Sequence, residues 1–202
     1  MSALFARLAA HHRAGHAAPL ADPFVEFTAG DAPQFRPAAV LIAFTEQPHP
    51  GVLLLHRPET MRAHPGQVAF PGGRIDPGES AEAAALREAH EELGLDPASV
   101  RVIGTSDTYL TGSGYAVTPV LAIIPPDPVL APNPDEVAEW FEAPAHMLFN
   151  PARQARLTGQ WQEQTREYYE IVWQHHRIWG VTAGIIANLT RRIDWAGVLA
   201  HG

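Results

Sequence analysis

Three glutamates, Glu88, Glu91 and Glu92, stand at i, i+3 and i+4 in a stretch rich in alanine and leucine. On a helix this spacing gathers their carboxylates on one side of a single turn. Like charges so placed repel by roughly 0.2–0.5 kcal/mol per pair on an isolated helix, and a bound cation turns that repulsion into binding. The chain has no cysteine, and the glutamates have no paired histidine beside them. A hard, oxygen-seeking ion, magnesium or manganese, is therefore favoured over zinc. Such ions hold carboxylates against a phosphate chain, so the chemistry indicated is metal-assisted phosphoryl transfer to water.

The flanking residues specify the element that carries the glutamates. Gly72-Gly73 ends an apolar segment and Asp76-Pro77-Gly78 is a turn signal. Ser80 is suited to cap a helix running to about Leu93, and Gly94 stands where a helix end favours a left-handed residue. Leu86, Ala89 and Leu93 share one face of that helix. Ala81, Ala84 and Ala85 fall on the acidic side, which predicts a face open to an approaching ligand.

The stretch from Gly73 to Leu95 resembles the Nudix box, G-x5-E-x7-R-E-U-x-E-E-x-G-U with U apolar, and meets it at every fixed position: Gly73, Glu79, Arg87, Glu88, Glu91, Glu92 and Gly94. Ala89 is a small choice for the first apolar position. The resemblance implies a loop-helix-loop that binds magnesium or manganese and hydrolyses a diphosphate joined to another moiety. It implies Glu88 and Glu92 as metal ligands, with Glu91 either a third ligand or the group that positions the attacking water. By the same resemblance Arg87 and Glu79 orient the glutamates through an ion pair, and Gly72 or Gly73 offers a carbonyl to the metal.

A second motif lies upstream. Leu53-Leu54-Leu55-His56-Arg57, Arg62, Gly66 and Phe70-Pro71-Gly72-Gly73 are similar, in register and without a gap, to the extra motif of the coenzyme A pyrophosphatase branch of that family. Leu55 stands where threonine is usual and Pro58 where serine or alanine is usual. Coenzyme A carries a 3′-phosphate besides its diphosphate, and guanidinium forks suit such groups. Arg57, Arg62 and His64 are the residues expected to bind substrate. The implied products are 3′,5′-ADP and 4′-phosphopantetheine. The rival substrates are ADP-ribose, a dinucleoside polyphosphate or a nucleoside triphosphate, and the rival class is a nucleotide-binding module without catalysis.

The resemblance implies a further carboxylate from a loop outside the box, as ligand or general base. Asn133-Pro134-Asp135-Glu136 leaves a proline-rich loop and offers Glu136, with Glu139 a lesser choice, and Glu91 or Glu136 is expected to accept the proton of the water. The histidines show no ligand spacing: His11-His12 and His175-His176 are adjacent pairs that point apart, and only His64 is tied to the substrate.

The 202 residues are read as one domain, with an N-terminal helix and arm over residues 1–34 and the core over residues 35–195. A short amphipathic helix using Leu4, Phe5 and Leu8 is expected at the N-terminus. Strands are expected over Ala38 to Phe44, Gly51 to His56, Gln67 to Phe70, Val100 to Ser106, Tyr115 to Ile124, Val137 to Phe141 and Tyr168 to Trp173, with a closing helix over Val181 to Arg192. That order is an α/β fold, a mixed sheet between helices, and the resemblance implies the α/β/α sandwich of the Nudix fold. A formal charge of −8 with no basic run argues against nucleic-acid partners. No apolar run is long enough to span a membrane. The expected partner is a small coenzyme A-like molecule and the expected location cytoplasmic, with a homodimer left open.

Overall fold

Apolar runs that lack polar alternation suit strands buried on both faces, and two such runs form the centre of the fold. The computed structural model describes residues 2–26, 35–60, 66–161 and 164–200. The chain begins with α1 (Ala3–Gly15), β1 (Arg36–Thr45), β2 (Gly51–His56), β3 (Val68–Ala69), β4 (Gly72–Arg74) and α2 (Ala81–Leu93). It continues with β5 (Arg101–Thr105), β6 (Tyr109–Leu110), β7 (Tyr115–Ile124), β8 (Glu139–Pro144) and α3 (Ala145–Leu148). It closes with β9 (Ala155–Trp161), β10 (Gln164–Trp173), β11 (His176–Trp179), α4 (Val181–Arg192) and α5 (Trp195–Leu199).

β1 and β7 pair in parallel along their whole length, from Arg36 opposite Tyr115 to Thr45 opposite Ile124. A parallel pair needs a crossover, and α2 lies within it. β1 and β7 sit centrally in a mixed sheet ordered β3-β2-β1-β7-β5, with β4 also on β1, β6 on β7 and β8 on β2. Successive side chains alternate between faces. Ala39, Leu41 and Ala43 face α2 in one core, while Ile42 and Phe44 face α1, α4 and α5 in the other. The result is the layered α/β/α sandwich. A second sheet, β9-β10-β11, is antiparallel throughout. Among the described residues no helix is long and apolar enough to cross a membrane.

Several elements differ from the sequence expectation, each for a physical reason. Gly72-Gly73-Arg74 has no strand propensity, yet it pairs with β1. A Cβ at Gly72 would run into the Ala39 carbonyl and Val40, so the missing side chain is what permits the close pairing. The strand expected over Val137 to Phe141 starts two residues later, at Glu139. The residues before it fold onto the end of α2 instead: Ala131 and Asn133 donate their backbone N–H groups to the Leu93 and Glu92 carbonyls, at 2.8 Å each. Those carbonyls have no partner within the helix and must find one outside it. The strand expected over Tyr168 to Trp173 is the second half of β10, which is extended by pairing with the polar β9.

The alanine face of α2 also needs correction. Ala84 and Ala85 are fully buried against the sheet rather than open to a ligand. Their small side chains let the helix lie close to β1, and that closeness carries Glu92 into the protein interior.

Candidate active site

Helix α2 begins where expected, with the Ser80 hydroxyl accepting a hydrogen bond from the Ala83 N–H at 3.1 Å. It ends at Gly94, whose φ of 66° is the left-handed conformation that releases the chain. Arg87 ties this helix to the preceding loop. Its Nε and Nη2 donate to the two oxygens of Glu79 at 3.0 and 3.1 Å, and its Nη1 donates to Glu88 at 2.9 Å and Glu91 at 3.1 Å. Nη2 also reaches the Arg74 carbonyl at 2.9 Å. Glu79 accepts in addition from the Asp76 N–H at 3.0 Å. One guanidinium thus fixes loop, strand end and two carboxylates together. Hydrogen bonding from Arg87 holds Glu79 below the usual carboxylate range, and the same partner raises Arg87 above its ordinary value.

The three helix glutamates occupy different environments. Glu91 is half exposed. Glu88 is mostly covered, and burial pushes its carboxyl upward against the pull of Arg87, with Glu91 and Glu136 adding repulsion. Glu92 is only 3% exposed, and one of its oxygens accepts the Gly72 N–H at 2.9 Å. Burial pushes the Glu92 carboxyl up to about 8; the Gly72 hydrogen bond and Arg57 oppose this, while Glu88 and Glu136 reinforce it. Glu136 therefore faces both Glu88 and Glu92 electrostatically, brought there by the loop that closes the end of α2. It is also held by the Asn133 side-chain amide at 3.2 Å.

This arrangement fits a hard divalent cation. The Glu88 carboxylate fills the space that a Cβ on Gly73 would occupy, so the backbone of β4 comes directly against it. Burial pushes both Glu88 and Glu92 upward, and the guanidinium paired with Glu88, that of Arg87, is shared with Glu79 and Glu91, so negative charge outweighs positive at this turn. The donors are all oxygens, the set preferred by magnesium and manganese.

The substrate-side residues are only partly brought into view. Arg57 follows β2, with its backbone N–H bonded to the Gln67 carbonyl at 3.0 Å, and its buried Nε has no hydrogen-bond partner among the described residues. Its charge pulls on Glu92, so it faces the glutamate turn. Arg62 and His64 lie outside the described residues.

Two groups of residues escaped sequence reasoning. Arg36 lies over the Tyr115 ring at 4.1 Å, and Arg74 donates to the Tyr115 hydroxyl at 3.2–3.3 Å. Only the β1–β4 and β1–β7 registers bring these three together beside Gly73. The expectation that the histidines do not organise is also overturned at one place: His56 and His176 lie 2.8 Å apart, beside Glu139. They come from two different sheets, so no spacing in the sequence could announce them.

The model of the NUDIX domain matches residues 34–166. The chain belongs to the Nudix family. Its relatives include proteins named "Uncharacterized Nudix hydrolase NudL". The one from Enterobacter sp. (strain 638) is 43% identical over 159 residues, covering 78% of this chain and 83% of the relative. The one from Escherichia coli (strain K12) is 42% identical over the same length and shares. Among solved structures, the Nudix hydrolase RenU from M. Smegmatis is 30% identical and covers 55% of this chain and 72% of its own, with a TM-score of 0.49. The protein is a Nudix hydrolase, and its Nudix box is the loop-helix-loop from Gly73 to Leu95.

Proposed function

We propose that this Nudix hydrolase cleaves the diphosphate linkage of coenzyme A or its derivatives, releasing 3′,5′-ADP and 4′-phosphopantetheine or its acyl form. The observation that carries the reading is the buried Glu92 carboxyl, on which the Glu88 and Glu136 carboxylates and the Arg57 guanidinium all act electrostatically. Negative groups suited to a cation and a positive group suited to a phosphate converge on one spot. The register of the upstream motif, in which Arg57 belongs, supports coenzyme A over other diphosphates.

Glu88, Glu91 and Glu92 are the residues that would hold magnesium or manganese, with Glu136 able to join them. Bound there, the ion would neutralise diphosphate oxygens and make water a better nucleophile. Arg87 keeps Glu88 and Glu91 aimed, so that little reorganisation is needed when substrate arrives. Glu91 or Glu136, both carboxylates at the glutamate turn, accepts the proton of the attacking water. Arg57 binds the substrate phosphates, assisted by Arg62 and His64. Arg36 and Arg74 around Tyr115 add positive charge and an aromatic face beside Gly73 for the nucleotide end. The whole chain acts as one domain, with residues 35–195 as its core.

A substrate panel tests this. Coenzyme A, dephospho-coenzyme A, ADP-ribose and a dinucleoside polyphosphate are compared with magnesium and with manganese, and products are separated by chromatography. Coenzyme A should exceed ADP-ribose in kcat/KM by about tenfold or more, and Arg57→Ala should raise its KM. Preference for another compound overturns the coenzyme A reading and leaves the hydrolase. A KM for coenzyme A unchanged in Arg57→Ala removes that arginine from the phosphate site.

A further inference from the structure

We propose that His56, His176 and Glu139 form a second metal site, selective for a nitrogen-seeking divalent ion such as zinc and separate from the glutamates of α2. The proposal does not depend on the substrate reading. His56 is the last residue of β2 and Glu139 the first of β8, and the two are cross-strand partners. His176 opens β11 in the other sheet. The three ligand atoms lie within 4.8 Å of one another, with His56 Nε2 at 2.8 Å from His176 Nδ1 and 4.0 Å from Glu139 Oε2.

Two imidazoles and one carboxylate are a ligand set that zinc, cobalt(II) or nickel(II) takes readily and magnesium does not. At zinc–ligand distances of about 2.0–2.2 Å, tetrahedral ligand atoms stand roughly 3.3 Å apart. The observed 2.8 and 4.0 Å bracket that spacing. Binding would part the two imidazole nitrogens by about 0.5 Å and draw in the half-exposed Glu139 side chain.

The ligand rings are already oriented, which is what holds a metal ligand in place. His176 is 2% exposed, and its ring stacks on Phe141 at 3.6 Å with an interplanar angle of 9°. Trp173 stacks on it from a further 5.4 Å. His175 Nε2, 3.9 Å from the other Glu139 oxygen, stands ready beside the three. Because β2 and β8 belong to the large sheet and β11 to the small one, an ion here clips the two sheets together. Ion binding of this kind adds directly to folding stability.

The test uses tag-free protein stripped with a chelator, dialysed, and returned to excess magnesium. Zinc is then titrated by calorimetry, with thermal melting alongside. One zinc per chain should bind in the presence of magnesium and raise the melting temperature, and cobalt(II) should give the visible absorption of a tetrahedral site. His56→Asn and Glu139→Gln, both checked for a parental circular dichroism spectrum, should each weaken zinc by about tenfold or more. Glu92→Gln should bind zinc as the parent does. Absence of zinc uptake in excess magnesium overturns the proposal: the two imidazoles then simply share a hydrogen bond. Unchanged affinity in both the His56 and Glu139 variants, or loss of uptake in Glu92→Gln, overturns it as well.

Discussion

Replacing Glu92 by glutamine keeps the side chain's shape, leaves an oxygen to accept the Gly72 N–H, and removes the charge. The parent carboxyl is raised from the ordinary 4.5 to about 8 by burial. The folded chain therefore holds a proton that the unfolded chain releases. The stabilisation this gives is complete below about pH 4.5 and disappears as pH climbs through about 8. Each unit of displacement corresponds to about 1.4 kcal/mol, so the metal-free parent should lose of the order of 2–4 kcal/mol between pH 5 and pH 8 from this group alone. Glutamine does not titrate. Metal-free Glu92→Gln should therefore show a flatter dependence of melting temperature on pH. At pH 8 it should melt about 5–15 °C above the parent, using about 2–4 °C per kcal/mol for a chain of this size. Its hydrolysis rate with magnesium should fall by roughly two orders of magnitude or more. The assay is thermal melting in chelator from pH 5 to 8.5, paired with product formation at saturating metal. A variant that melts at or below the parent throughout, or that hydrolyses within several-fold of it, would refute the account of Glu92 as a charge buried for function.

Two further substitutions probe packing, one beside the glutamate turn and one in the opposite core. In Gly73→Ala the new methyl falls on the Glu88 carboxylate; displacing that group by about 1 Å should lower activity about 100-fold, with the circular dichroism spectrum unchanged. In Gly184→Ala the methyl meets the ring and hydroxyl of buried Tyr109, an overpacking that should remove about 1–3 kcal/mol of stability in a denaturant titration, while calorimetric binding of magnesium is retained.

The parts of the molecule that could be read in the sequence are those whose causes are local. Ser80, Gly94 and the alternation of carboxylates with apolar positions delimit α2 to within a residue. Val120 to Ile124 is a continuous apolar run because it is buried on both faces, and β7 has the expected bounds, Tyr115 to Ile124. What escaped depends on contacts made at long range. β4 exists because β1 accepts a glycine pair at close quarters, and Gly72-Gly73-Arg74 alone gives no hint of it. β9 reads as polar coil until β10 pairs with it. At the site, the glutamates and Arg87 were visible as a spacing, whereas the unequal burial of Glu88, Glu91 and Glu92 was not. It arises from how closely the alanine side of α2 lies on the sheet. Arg36, Arg74 and Tyr115 meet only through strand register, and His56 and Glu139 meet His176 only where the two sheets pack together.

The segment that closes α2 does two jobs with the same few atoms. Ala131 and Asn133 seal the carbonyls of Leu93 and Glu92, and three residues beyond Asn133 the chain presents Glu136 to Glu88 and Glu92. Shortening or lengthening this connection would thus move one carboxylate and loosen the backbone of another in a single edit. A protein engineer seeking new specificity by loop exchange should cut upstream, around Pro125 to Leu130, and leave residues 131 to 137 as an indivisible graft with the helix.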